Sequence, residues 1–81
     1  MAFESFLRKV GQNITALRKS KWLKQKETAE QTRISYRYYQ RIEAGAANLT
    51  LSTLFRLAKF FDVSPVKLLS SNMSSTRPET R

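Results

Sequence analysis

The sequence predicts an all-α domain of five short helices, over about residues 5–20, 25–32, 35–44, 51–61 and 65–70. Three observations carry that expectation. Two glycines and two prolines in 81 residues leave little punctuation for strands and tight turns. The apolar residues recur at steps of three and four, the spacing of one helical face. Ser35, Thr50 and Ser64 stand just before such runs, where N-caps belong, and Gly45 stands just after one.

In the first helix Phe3, Phe6, Leu7, Val10, Ile14 and Leu17 form one stripe. Gly11 interrupts it, at a cost of about 1 kcal/mol relative to alanine. A short connection through Lys21 and Trp22 leads to the second helix, whose small inward residue is Ala29. Arg33 and Ile34 make a tight connection to the third helix, which Gly45 stops. After a loop over 46–49, Leu51, Leu54, Leu57, Ala58 and Phe61 share one face of the fourth helix, which ends at Asp62. Ser64 and Pro65 then read as a cap followed by proline at the first helical position, with Val63 and Leu68 as a hydrophobic staple. Residues 1–70 are expected to form one domain, and 71–81, rich in Ser, Thr and Pro and almost free of apolar residues, a disordered polar tail.

Composition narrows the function classes. The chain has 15 Lys and Arg against 6 Asp and Glu, a net charge of +9, and neither Cys nor His. Disulfides, thiolate nucleophiles, imidazole catalysis and the usual zinc ligands are absent together. No metal, cofactor or small-molecule ligand is expected, and no enzyme. The apolar runs stay short of the 18 or so residues of a membrane span, and Met1 to Ser5 lack a signal peptide's order. A cytoplasmic protein without a membrane partner is therefore expected. A strongly basic small domain most often meets a polyanion.

The charge is concentrated. Between Arg18 and Arg41 lie eight basic and two acidic residues, a net +6 that is two thirds of the total. On the third helix, with Tyr39 turned inward, Arg37 and Arg41 both fall about 160° away from it at 100° per residue. Gln40 and Tyr38 flank them, and Tyr36 lies near the N-terminal end. Arg pairs with the guanine edge and Gln with the adenine edge, so this face suits bases. Tyr38 could meet a phosphate or a thymine methyl. Glu43 falls on the inward side, as does Arg18 on the first helix, and the two are expected to pair and tie the helices together. Phe55 and Phe60 fall off the core face of the fourth helix. They are open to two readings: partial burial, or an apolar dimer patch with Val66 and Leu69.

Taken in order and spacing, the segments Gly11 to Lys19, Gln25 to Glu30, Ser35 to Gly45, Asn48 to Lys59 and Val63 to Pro65 resemble the Cro/phage-repressor (XRE, lambda-repressor-like) type of helix-turn-helix. The resemblance covers about residues 11–70. It implies a recognition helix over 35–44 lying in the DNA major groove. It assigns base contacts to Tyr36, Arg37 and Arg41, with Gln40 beside them. It assigns phosphate contacts to Gln25, Lys24 and Asn48, with Tyr38 and Arg33 as further candidates, and it matches Arg18 and Glu43 to an internal ion pair. It implies a homodimer on paired half-sites of duplex DNA, in a prokaryotic or phage regulator of transcription. A repressor, a controller-type autoregulator and an antitoxin all fit. A protein-interaction module on the same fold and a membrane-surface domain are the alternatives outside DNA binding.

The chain departs from that pattern in four places. Trp22 stands where glycine is frequent, and fills the volume left where Thr28 replaces a core leucine. Lys24 stands at the N-cap of the second helix, leaving it without a good cap. Arg33 occupies a turn position that usually carries glycine, which predicts a positive φ there.

Overall fold

The computed structural model describes residues 2–70, and the expectation of a disordered tail over 71–81 lies outside the described residues. Five helices follow one another: α1 (Phe3–Ser20), α2 (Gln25–Thr32), α3 (Tyr36–Glu43), α4 (Leu51–Phe61) and α5 (Pro65–Leu69). No strand occurs among the described residues, and no helix there is long and apolar enough to cross a membrane. The expected boundaries hold to within two residues. Ser35, Thr50 and Ser64 cap α3, α4 and α5, their hydroxyls accepting from the backbone N–H groups of Tyr38, Thr53 and Val66.

The apolar stripes meet in one core. Val10 and Ile14 of α1, Tyr39 and Ile42 of α3, Leu54, Leu57 and Phe61 of α4 and Leu68 of α5 are all buried. Phe3, counted in the stripe of α1, is instead 58% exposed at its open end. α1 packs on α3 and α5, α2 on α3, and α4 on α5. Gly11 is explained by the first of these crossings. A Cβ at that position would stand 2.6 Å from the carbonyl oxygen of Ile42 and 2.5 Å from that of Glu43, so only glycine lets the two backbones approach.

Four helices end in the same hydrogen-bond pattern, a Schellman motif, with one residue in the left-handed region. For α1 the N–H groups of Trp22 and Leu23 donate to the carbonyls of Lys19 and Arg18. Arg33 and Ile34 repeat this after α2, Gly45 and Ala46 after α3, and Asp62 and Val63 after α4. Gly45 alone among the four is glycine; Trp22, Arg33 and Asp62 have φ of 59°, 61° and 59°. The positive φ expected at Arg33 is therefore present.

Trp22 does not fill the space beside Thr28, because its side chain is 93% exposed. An indole in that space would have needed a buried partner for its N–H. Thr28 is itself fully buried and satisfies its hydroxyl on the carbonyl of Lys24, while Thr32 does the same on Thr28. The inner face of α2 is thus Thr28, Ala29 and Thr32, small residues that let α2 sit close to the core. Asn13, buried on α1, donates to the carbonyls of Leu68 at 2.9 Å and Ser70 at 2.7 Å, and so clamps the end of α5 to the domain.

Candidate nucleic-acid interface

The local sequence sets α3 apart from the other helices. Tyr39 and Ile42 are buried beneath it, while Tyr36, Arg37, Gln40 and Arg41 are exposed above. What holds α3 in place is a buried polar cluster centred on Glu43. Arg18 grips its carboxylate with two parallel bonds, Nε to Oε2 at 2.7 Å and Nη2 to Oε1 at 3.1 Å. The side chains of Arg18 and Glu43 are only 11% and 4% exposed. Tyr39 donates its hydroxyl to Oε2, and Gln25 donates Nε2 to Oε1 at 2.9 Å. The remaining Arg18 nitrogen, Nη1, reaches the carbonyl of Leu23 at 2.8 Å. One carboxylate therefore joins α1, the α1–α2 connection, the start of α2 and the end of α3.

The electrostatics follow from that geometry. Burial alone would push the Glu43 carboxyl up, but the bonds from Arg18, Tyr39 and Gln25 outweigh it and hold it below its ordinary value. The bond to Glu43 raises Arg18 further. Burial, then the hydrogen bond to Glu43, pushes the Tyr39 hydroxyl well above its ordinary value. Arg18 and Glu43 are therefore both charged at neutral pH while Tyr39 keeps the proton it donates, and the pair expected between Arg18 and Glu43 is present.

The other residues singled out in the sequence divide. Arg37 and Gln40 are exposed, with no protein partner among the described residues. Tyr36 is 44% exposed at the first turn of α3. Arg41 is exposed too, but its Nη2 donates to the carbonyl of Ala46 at 2.7 Å, so its guanidinium leans toward the following loop. Tyr38 is half-buried and its hydroxyl donates to the carbonyl of Asn48 at 2.8 Å. That bond steadies the loop carrying Asn48. The side chain of Asn48 remains exposed.

The start of α2 holds a cap that the sequence reading missed. Glu27, three residues after Lys24, accepts from the Lys24 backbone N–H at 2.8 Å. This is half of a capping box, and the Glu at that spacing was its signal. Lysine has no acceptor with which to complete the other half. The amides of Gln25, Lys26 and Glu27 consequently receive no side-chain cap, and exposed Lys24 and Lys26 stand beside them at the positive end of the helix dipole. Gln25 keeps one side-chain N–H beyond its bond to Glu43. Arg33 is exposed, and its carbonyl accepts from Arg56 at 3.4 Å.

Compared with known proteins, residues 14–68 match the family described as Helix-turn-helix. The chain belongs to the helix-turn-helix family. It is 38% identical over 61 residues to the uncharacterized HTH-type transcriptional regulator y4dJ of Sinorhizobium fredii, a match covering 75% of this chain and 79% of that protein. Its fold superimposes with a TM-score of 0.73 on the crystal structure of the restriction–modification controller protein C.AhdI from Aeromonas hydrophila. That match is 32% identical and covers 76% of this chain and 94% of the other. The helix-turn-helix is α2, the turn at Arg33 and Ile34, and α3. The resemblance read from the sequence, and the five-helix fold it implied, both hold.

The apolar residues considered for a dimer also separate. Phe55 is 61% and Val66 72% exposed. Phe60 is half-buried, its ring edge-on to Phe61 at 5.1 Å between centroids, and it borders a cleft with Arg33, Arg56 and Lys59. Leu69 is half-buried beside an open apolar cleft shared with Phe3, Phe6 and Leu51. Leu51, which the sequence reading placed on the core face, is 81% exposed and lies one turn from Phe55.

Proposed function

We infer that the protein is a sequence-specific DNA-binding regulator of transcription that lays α3 in the major groove of duplex DNA. The observation that carries this reading is the two-sidedness of α3. Its inner side is fixed by Tyr39, Ile42 and the Glu43 cluster, and its outer side presents Arg37 and Gln40 unpaired. A helix backbone held firmly, with outward side chains left without protein partners, suits base edges, because no internal bond must be broken for those side chains to bind. Tyr36, Arg37, Gln40 and Arg41 are the proposed base contacts. Lys24, the remaining N–H of Gln25, Arg33 and Asn48 are the proposed phosphate contacts, the first three preceding α3 in the chain and Asn48 following it.

A homodimer on paired half-sites completes the proposal, with Leu51, Phe55 and Val66 as its exposed apolar residues. The likeness to a restriction–modification controller supports a controller-type autoregulator among the possible roles. Such a regulator would work in a prokaryotic cytoplasm.

Selection of bound duplexes from a random pool, with salt titration, tests the reading. The expected result is a pair of related half-sites and an affinity that falls steeply with salt. Arg37→Ala and Arg41→Ala should each cost about 1–3 kcal/mol on the selected site and relax one position of it. Steep salt dependence without an enriched sequence would refute specific recognition.

A further inference from the structure

Trp22 is the one tryptophan of the chain, and it is 93% exposed. Tryptophan is normally among the more buried side chains, because its large ring gains most from leaving water. Here the ring touches no core, and its Nε1–H has no acceptor among the described residues. The backbone is strained as well, with a φ of 59° where glycine would be at ease. Ending α1 does not require this residue. The bonds from Trp22 and Leu23 to Lys19 and Arg18 are backbone bonds that glycine would make equally well.

The surroundings suggest what the indole is for. Residues 19–26 contain Lys19, Lys21, Lys24 and Lys26, all exposed, and no acidic residue. The segment is also held firmly. The carbonyl of Leu23, the next residue, is bonded to Arg18, which in turn grips Glu43 at the end of α3. Two residues after Trp22, Lys24 begins α2. An exposed ring is thus carried on a firmly held backbone just before the half-capped start of α2, with four lysines close by in the chain.

We propose that Trp22 is a contact to the sugar–phosphate backbone of duplex DNA, outside the recognition helix. The indole packs on a sugar, Nε1–H donates to a phosphate oxygen, and Lys21 and Lys24 engage the neighbouring phosphates. The inference rests on the DNA-binding function proposed above. Charge selects this occupant, since a ring framed by lysines alone complements a polyanion.

Because the tryptophan is single, its fluorescence reports this one position. Adding duplex of random sequence should change its emission and protect it from acrylamide quenching. Trp22→Gly should raise the melting temperature by relieving the backbone, yet weaken duplex binding about tenfold, measured by anisotropy of labelled DNA. Trp22→Phe, which keeps a ring but loses the donor, should fall between. The loss should be equal on random and selected duplexes, because a backbone contact carries no sequence information. A folded Trp22→Gly that binds duplex like the parent overturns the assignment and leaves the indole to a protein partner. A loss confined to one sequence overturns the backbone contact in favour of a base. A parent that binds no duplex at all removes the underlying function, and this inference with it.

Discussion

Replacing Glu43 by alanine is the most severe test of how α3 is held. The carboxylate accepts four bonds: two from Arg18, one from Tyr39 and one from Gln25. Alanine strands the Arg18 charge at a site where its side chain is 11% exposed. Breaking a buried pair in this way typically costs about 3–5 kcal/mol. The lower end is expected, because Arg18 keeps the carbonyl of Leu23. A domain of about seventy residues has a total stability of roughly 4–10 kcal/mol, so the variant should keep only about 1–7 kcal/mol at room temperature. Urea denaturation followed by circular dichroism measures the loss. In a double-mutant cycle with Arg18→Ala, the double variant should recover about 1–3 kcal/mol relative to the sum of the singles. The pH dependence gives an independent check. The Glu43 carboxyl is lowered in the folded protein, so the unfolded chain takes up its proton first as pH falls. Its contribution is therefore complete above the unfolded value of about 4.3 and is lost as pH falls through the lower folded value. Glu43→Gln should lack that part of the acid destabilisation. An alanine variant within about 0.5 kcal/mol of the parent, well below the range for a broken buried pair, would refute the burial and with it the account of α3 as a fixed reading head.

Gly11→Ala should destabilise the domain by about 1–3 kcal/mol in urea melts, despite alanine's higher helix propensity, because the new methyl meets the Ile42 and Glu43 backbone. Arg33→Gly should stabilise it by about 1 kcal/mol through release of the left-handed strain, while lowering the salt dependence of DNA binding by about one phosphate. Phe55→Ser, at a residue 61% exposed, should leave the helical circular dichroism of the folded domain unchanged but shift the sedimentation profile toward monomer. A dimer unaffected by that change lies on another face.

How far the sequence foretold this arrangement depended on the range of each interaction. The helices, their Ser and Thr caps and the stop at Gly45 follow from neighbours within four residues, and periodicity finds them. The Arg18–Glu43 pair was legible although 25 residues separate the partners, because each charge stands beside an apolar stripe and so faces the core. Asn13 gave no such signal. Its partners are backbone carbonyls 55 and 57 residues away, and any carbonyl looks the same in a sequence. Arg41 and Tyr38 show a different limit. Helical angles fix where a Cβ points, but long side chains can turn back from there to the carbonyls of Ala46 and Asn48. Balancing volume against Thr28 misplaces Trp22, because the residue ends α1 at a positive φ with its side chain exposed.

The three left-handed residues show where this domain departs from the most stable sequence for its fold. Each costs of the order of 1–3 kcal/mol beside an unstrained backbone. Asp62 ends α4, but Trp22 and Arg33 sit at the two ends of α2, the helix that is also started by a lysine instead of a capping residue. A positive residue at a helix N-terminus opposes the dipole, and a large exposed side chain in the left-handed region strains its backbone. Three local rules are thus broken within twelve residues, and all three changes add charge or aromatic surface beside the helix-turn-helix. The domain tolerates them because the Glu43 cluster fixes both the start of α2 and the end of α3 from beneath. Stability concentrated in one buried carboxylate is what leaves the outer edge of α2 available for contacts that the fold itself does not need.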